Sequence, residues 1–190
     1  MHADRKARAK KFDVGDESES RGRAWLMTYF KAEVQKNPLR LINTPAGQQF
    51  VSQDVDYTLL RPVGDLAKVT KVEVKGTITN SFPLSRISTR ERGFLEKSLR
   101  LNYDTWILCL WWHKTDAGQD CELMHLVPWV EWKQIEVDLK AQATGNFKGK
   151  SIRRKIDLNG WEKYAIHKIS SRWRLDESHW LREATSDHLF

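Results

Sequence analysis

Lys71-Val72-Glu73-Val74-Lys75-Gly76 lies inside the apolar-rich run from Val69 to Ile78, and the way this stretch folds decides the rest of the chain. Its alternation reads as a strand. Successive strand side chains point to opposite faces, so Glu73 and Lys75 project together while Val72 and Val74 turn into the core. Upstream, Phe50 to Leu60 alternates as a second strand, and Pro62-Val63-Gly64-Asp65 supplies the connection that makes a hairpin. Asp54 and Asp56 share a face of that preceding strand. Sixteen residues separate Asp56 from Glu73, enough to finish one strand, turn and return, so two carboxylates and an ammonium meet near the middle of a sheet.

Such a grouping suits a hard cation. Mg²⁺ takes one or two carboxylates and completes its octahedron with water and phosphate oxygens, and Mn²⁺ substitutes for it in the same oxygen-rich setting. A metal held this way polarises a phosphate and lowers the pKa of a bound water, while an adjacent lysine orients or helps deprotonate that water and neutralises developing charge. The reaction that follows is phosphodiester hydrolysis.

Outward from the hairpin, Trp25, Leu26, Tyr29, Phe30 and Val34 recur at helical spacing from Ser20 until Asn37-Pro38. Leu39 to Ile42 reads as a first strand. After the Asn80–Pro83 loop, Ile87, Phe94, Leu95 and Leu99 predict a second helix capped by Ser88 or Thr89. Trp106 to Trp112 is apolar on both faces, as in a central strand. Glu122 to Val127 gives another strand, and the run from Trp129 to Leu139 a third helix. The expected class is α+β, a mixed central sheet flanked by helices in the order α-βββ-α-ββ, followed by a helical and basic C-terminal segment.

At 190 residues, 40% hydrophobic with nine Trp, the chain is read as a charged, mobile arm over residues 1–19 and one domain over 20–190. No apolar run reaches the roughly 20 residues of a membrane span, and no signal peptide is recognisable, so a soluble, cytoplasmic protein without membrane partners is expected. Cys109 and Cys121 are too few for a disulfide framework or a structural zinc site and read as buried thiols. His113 and His125 lack metal-ligand spacing. No Gly-rich phosphate loop is present, so no nucleotide cofactor is expected.

The net charge of +7 favours a polyanionic partner. Residues 146–174 hold nine Lys or Arg against Asp157 and Glu162, interleaved with Phe147, Trp161, Tyr164 and Trp173, aromatics that either stack on unpaired bases or pack the segment onto the core. Lys148, Lys150, Arg153, Arg154 and Lys155 are its densest DNA-binding candidates. Arg86, Arg90 and Arg92, around the start of the second helix, offer planar forks to phosphates.

Taken together, Val55-Asp56-Tyr57, Glu73-Val74-Lys75-Gly76-Thr77, and Ser81-Phe82-Pro83-Leu84-Ser85 with the helix start around Glu91 resemble the PD-(D/E)xK nuclease superfamily, and within it the RecU-type Holliday junction resolvases. The resemblance spans roughly residues 20 to 170. It implies a restriction-endonuclease-like core, Asp56 and Glu73 as metal ligands with the Val74 position completing the set, and Lys75 as the catalytic lysine. Four-way DNA junctions would be the substrate and a twofold homodimer the working form, with Trp111, Trp112, Trp129 and Trp132 available to the dimer contact or, equally well, to a monomer core. Two positions depart from the pattern. Leu26 stands where a first-helix glutamate is expected, leaving Glu19 as the nearest helix-borne carboxylate, and only Thr44 to Gln53 occupies the place of a long junction-engaging insertion. Asp54, Glu19 and Glu91 are thus the further acidic candidates. Two other readings stay open: a non-catalytic accessory protein binding branched or single-stranded DNA, and a restriction or defence nuclease cutting ordinary duplex.

Overall fold

A computed structural model describes residues 13–30, 32–44, 47–52, 54–63, 66–115, 118–143, 148–153, 164–169 and 172–175. Helix α1 (Val14–Phe30) leads to β1 (Glu33–Lys36), a separate hairpin of β2 (Leu39–Thr44) and β3 (Gly47–Ser52), then β4 (Tyr57–Val63) and the long β5 (Leu66–Thr77). Next come β6 (Ser81–Pro83), a 3₁₀ turn (Leu84–Arg86), α2 (Thr89–Arg100), β7 (Asp104–Thr115), β8 (Gly118–Pro128) and α3 (Trp129–Ala141). Three strands follow: β9 (Ser151–Arg153), β10 (Ala165–Ile169) and β11 (Arg172–Leu175).

Seven strands form the main sheet in the order β1-β4-β5-β7-β8-β10-β11. The β5–β7 pair is parallel and the other pairs antiparallel, so the sheet is mixed as expected. The apolar Trp106–Trp112 stretch belongs to β7, the middle strand, and both its faces are covered. On one face, Trp106, Leu108, Leu110 and Trp112 join Val72 and Val74 beneath α1, which contributes Trp25 and Leu26. On the other, Ile107, Cys109 and Trp111 pack under Leu95 of α2 and Trp129, Trp132 and Leu139 of α3. A strand buried on both sides has no polar face to alternate with, hence its unbroken hydrophobicity.

The molecule departs from the sequence expectation in several places. Residues 14–19 belong to α1 rather than to a mobile arm: Asp13 Oδ1 accepts the amides of Gly15 and Asp16 at 2.8 and 3.2 Å, and Asp16 and Glu17 sit in the first turn, where the helix dipole favours them. The acidic run is a helix start. Residues 1–12 lie outside the described residues. The helix also stops at Phe30, short of Asn37, because Val34 is the buried residue of the edge strand β1 instead; its burial fits either periodicity.

The Phe50–Leu60 strand is two strands separated by a bend at Asp54–Asp56, and Leu39 to Ile42 pairs with β3 outside the main sheet. Among its described residues the basic C-terminal segment forms the strands β9, β10 and β11 and no α-helix. Of the two uses open to Trp111, Trp112, Trp129 and Trp132, a dimer contact or the monomer core, the molecule takes the second: they are at most 3% exposed. Tyr164 is also buried, while Phe147 and Trp161 lie outside the described residues. Cys109 and Cys121 are buried and free, and burial raises both thiols. No helix among the described residues is long and apolar enough to cross a membrane.

Candidate active site

The site forms where β4 falls short of β5. Tyr57 pairs with Val72, so residues 73–77 of β5 extend past the start of β4 while β7 still pairs their other edge. The bend carrying Asp56 fills that gap. The Val74 amide, left without a β4 carbonyl, donates to Asp56 Oδ2 at 2.8 Å, and the Asp56 amide donates to Glu73 Oε2 at 3.2 Å. A strand residue's N–H and C=O lie on the same edge, so the Val74 carbonyl is directed towards this gap too. Asn37 fixes the bend from outside: its amide donates to the Asp56 carbonyl at 2.9 Å and its side chain to the Val55 carbonyl at 2.7 Å. From the pattern of residues around it Asn37 reads only as a helix stop, and nothing near it signals this role.

Glu73 and Lys75 share the face of β5 turned towards α2, as the alternation requires. The Glu73 side chain is 1% exposed and that of Lys75 17%. Lys75 Nζ donates to Glu73 Oε1 and also to Glu91 Oε1, the latter at 3.0 Å. Glu91 is held in turn by the start of α2. Its other carboxylate oxygen accepts the Ser88 amide at 2.7 Å while Ser88 Oγ accepts the Glu91 amide, a reciprocal capping box. The expected cap at Ser88 is therefore present, and the acidic member of the box reaches the lysine.

Two of the acidic candidates sit differently. Asp54 forms an ion pair with Lys71, two positions back along β5 from Glu73, and its Oδ1 accepts the Val55 amide. Glu19 lies at the rim, paired with Lys36 at 2.6 Å, and its backbone carbonyl accepts the Tyr57 hydroxyl at 3.2 Å. Together with Asp16, Arg23 and Ala24 these residues line a cleft of about 490 Å³ beside α1.

Burial pushes the Asp56 carboxyl above its ordinary range, and the pull of Lys75 and the Val74 amide does not cancel it. Burial raises Glu73 further, and the neighbouring Asp56 charge adds to the effect. Burial alone would lower Lys75, but Glu73 and Asp56 outweigh it and keep the ammonium charged. Glu91 is lowered: burial opposes ionisation there, and Lys75 with the Ser88 amide overcomes it. Three carboxylates thus face one lysine, a local excess of negative charge that a cation would relieve.

Among the described residues no three His, Cys, Asp or Glu side chains converge to hold a metal by themselves. A cation at this site would draw on Asp56, Glu73 and the Val74 carbonyl, leaving its other positions to water and substrate oxygens. That donor set, hard and incomplete, fits Mg²⁺.

The arginine candidates divide. Arg86 and Arg90 are exposed, and Arg90 stacks over Phe94 at 5.5 Å. Arg92 is committed internally, to Glu136 and to the carbonyls of Leu84 and Ile87. Lys148 and Lys150 are exposed, Arg153 is half-buried on β9, and Arg154 and Lys155 lie outside the described residues. His125 is buried against Trp111 in the core. No family model matches the chain, and no curated protein matches it.

Proposed function

We propose that the chain is a Mg²⁺-dependent endodeoxyribonuclease of the PD-(D/E)xK type, with Mn²⁺ as a working substitute and branched DNA, such as a four-way junction, as its substrate. The observation that carries this reading is the convergence of Asp56, Glu73 and Lys75 at the start of β4, where the Asp56 amide donates to Glu73, the Asp56 carboxylate accepts the Val74 amide and Lys75 donates to Glu73.

Asp56, Glu73 and the Val74 carbonyl would hold the cation. When bound, it polarises a phosphate oxygen and lowers the pKa of a coordinated water. Lys75 stays protonated beside its two carboxylate partners, so its part is to donate a hydrogen bond to the attacking water or phosphate oxygen and to offset charge as it develops, rather than to remove a proton. Glu91 anchors the lysine from α2. Cutting both strands of a junction symmetrically takes two such centres, so a twofold homodimer belongs to this reading. Its contact uses surfaces other than the four core tryptophans.

The test is incubation of purified protein with a four-way junction, a linear duplex and a single strand, in Mg²⁺ or EDTA, beside Glu73→Ala and Lys75→Ala. Cation-dependent cutting lost in both variants supports the proposal. Tight binding with no cutting by the wild-type protein in any cation moves the chain to a non-catalytic DNA-binding role.

A further inference from the structure

A groove of about 820 Å³ opens between the start of α2, the last turn of α3 and the Lys148–Lys150 turn. Leu84 and Ile87 form its apolar lining. Beside them, Arg92 and Glu136 neutralise each other at 2.7 and 2.8 Å, and Arg92 Nε and Nη2 also donate to the carbonyls of Ile87 and Leu84. The charge available to a ligand is therefore that of Lys140, Lys148 and Lys150. All three are exposed, and none forms an ion pair with a described carboxylate.

The backbone fixes where two of these cations stand. Gly149 has φ +61°, and a Cβ there would come within 2.4 Å of the Leu139 carbonyl oxygen, so only glycine lets this turn press against the end of α3. The Lys150 carbonyl accepts the Leu84 amide at 2.9 Å, and β9 then pairs with β6. Lys148 and Lys150 are thus held on either side of a pinned glycine, on the same rim as Lys140. Ser88 also lines the groove, and it caps the helix whose Glu91 holds Lys75 one turn further on.

We infer that this groove is a track for the sugar–phosphate backbone of the DNA strand leading to the site, with Lys140, Lys148 and Lys150 as its phosphate contacts; the inference rests on the nuclease reading. Three solvated ammonium groups around an open groove suit a run of backbone phosphates contacted without regard to base sequence.

The experiment is fluorescence anisotropy of a labelled four-way junction and a labelled duplex in Ca²⁺, which permits binding while holding cutting back, over 50 to 300 mM KCl. Wild type is compared with Lys140→Gln/Lys148→Gln/Lys150→Gln, and with Lys97→Gln/Arg100→Gln at the far end of α2 as the charge control. Thermal melts establish that each variant is folded. The groove variant is expected to lower the slope of log affinity against log salt by about 2.7, at 0.9 per lost phosphate contact, and to weaken binding about tenfold or more near 150 mM salt. The control pair is expected to leave the slope within about half a unit. A folded groove variant with the wild-type slope, or a control pair that loses as much, overturns the groove while leaving the nuclease reading standing. Wild-type protein that binds neither DNA at any salt overturns both.

Discussion

Asp56 and Glu73 hold each other in place through the backbone: the Asp56 amide donates to the Glu73 carboxylate, and the Asp56 carboxylate accepts the amide of the residue after Glu73. Two acids locked at this range cost the fold something, because burial raises the proton affinity of both and the Asp56 charge raises that of Glu73 further. Asp56→Asn keeps an oxygen to accept the Val74 amide and removes one charge. In urea unfolding without divalent cation, this variant should be as stable as wild type or more stable, since a carboxyl that burial disfavours as a charge has become a neutral amide. Its Mg²⁺-dependent gain in stability and its cutting should both be lost. A cation-free destabilisation of about 2 kcal/mol or more would mean that the pair is a structural network and not a strained cation site.

The same two groups set a pH dependence. Their folded-state affinities for protons lie above the unfolded ones, so their contribution to stability is fully present below the ordinary values, 3.8 for Asp56 and 4.5 for Glu73, and is lost as pH rises through the raised ones. A bound cation reverses this penalty, and protons compete with it. The increase in melting temperature caused by Ca²⁺ should therefore grow steadily as pH rises from about 5 to 8, and shrink to near zero in Glu73→Gln. Glu91 carries the opposite sign, since its lowered value adds stability above 4.5, but it belongs to a capping box and responds little to the cation. A Ca²⁺ effect of constant size across this range would argue that the ion binds elsewhere.

Lys75 is the counter-charge for Glu73 and Glu91, and its removal leaves buried acids facing one another. Breaking a buried pair from one side typically costs about 3 to 5 kcal/mol. Lys75→Met should accordingly destabilise the metal-free protein by about 3 kcal/mol, and Glu91→Gln added to it should return about 1 kcal/mol of that by removing one of the stranded charges. Cutting should remain absent in both. If the double variant is no more stable than the single one, Glu91 does not interact with Lys75 strongly enough to anchor it.

Arg92 separates a structural arginine from a DNA-contacting one. From the sequence it stands with Arg86 and Arg90 as a phosphate contact, yet its guanidinium bridges Glu136 on α3 to the carbonyls of Leu84 and Ile87 before α2. Arg92→Ala should cost about 3 kcal/mol in urea unfolding, since Glu136 is left buried without its counter-charge and keeps, among the described residues, only the Trp132 indole N–H at 2.6 Å. The salt dependence of DNA binding should stay unchanged at temperatures where the variant is folded. A fall of about one unit in the salt slope would return Arg92 to the DNA surface.

Much of the site was legible because strand alternation is local. Glu73 with Lys75, and Val72 with Val74, follow from a period of two, and Ser88 as a cap follows from the polar residues before an apolar helical pattern. What escaped depends on where strands end. Asp54 and Asp56 look equivalent when Phe50 to Leu60 is taken as one strand, whereas the bend sends Asp54 to Lys71 and Asp56 to the end of β4. Nothing in the alternation marks a bend of three residues. The acidic run at Asp13–Glu19 was misread for a related reason: its charges satisfy a helix N-terminus, which composition alone does not separate from a solvated arm. The role of Asn37 required the register of β1 against β4, a relation between distant residues.

Gly76 sets how closely α1 approaches the sheet, and hence where Glu19 stands relative to Asp56. A Cβ on residue 76 would lie 1.9 Å from Ser18 Oγ and 3.0 Å from Val14 Cγ1, so alanine there must push the helix away. Ser18 has little freedom to give, being fully buried with its hydroxyl accepting Trp112 Nε1 at 2.7 Å. Overpacking of this kind costs about 1 to 3 kcal/mol, and Gly76→Ala should fall in that range by urea unfolding. Ser18→Ala alone should cost about 1 to 3 kcal/mol as well, because it strands the Trp112 donor. In Ser18→Ala/Gly76→Ala the oxygen that clashes is already gone, so the double variant should lose about 1 kcal/mol less than the two single losses combined. Strict additivity would mean that α1 meets the sheet through contacts other than this one, and the helix that carries Glu19 would then not be held by Gly76.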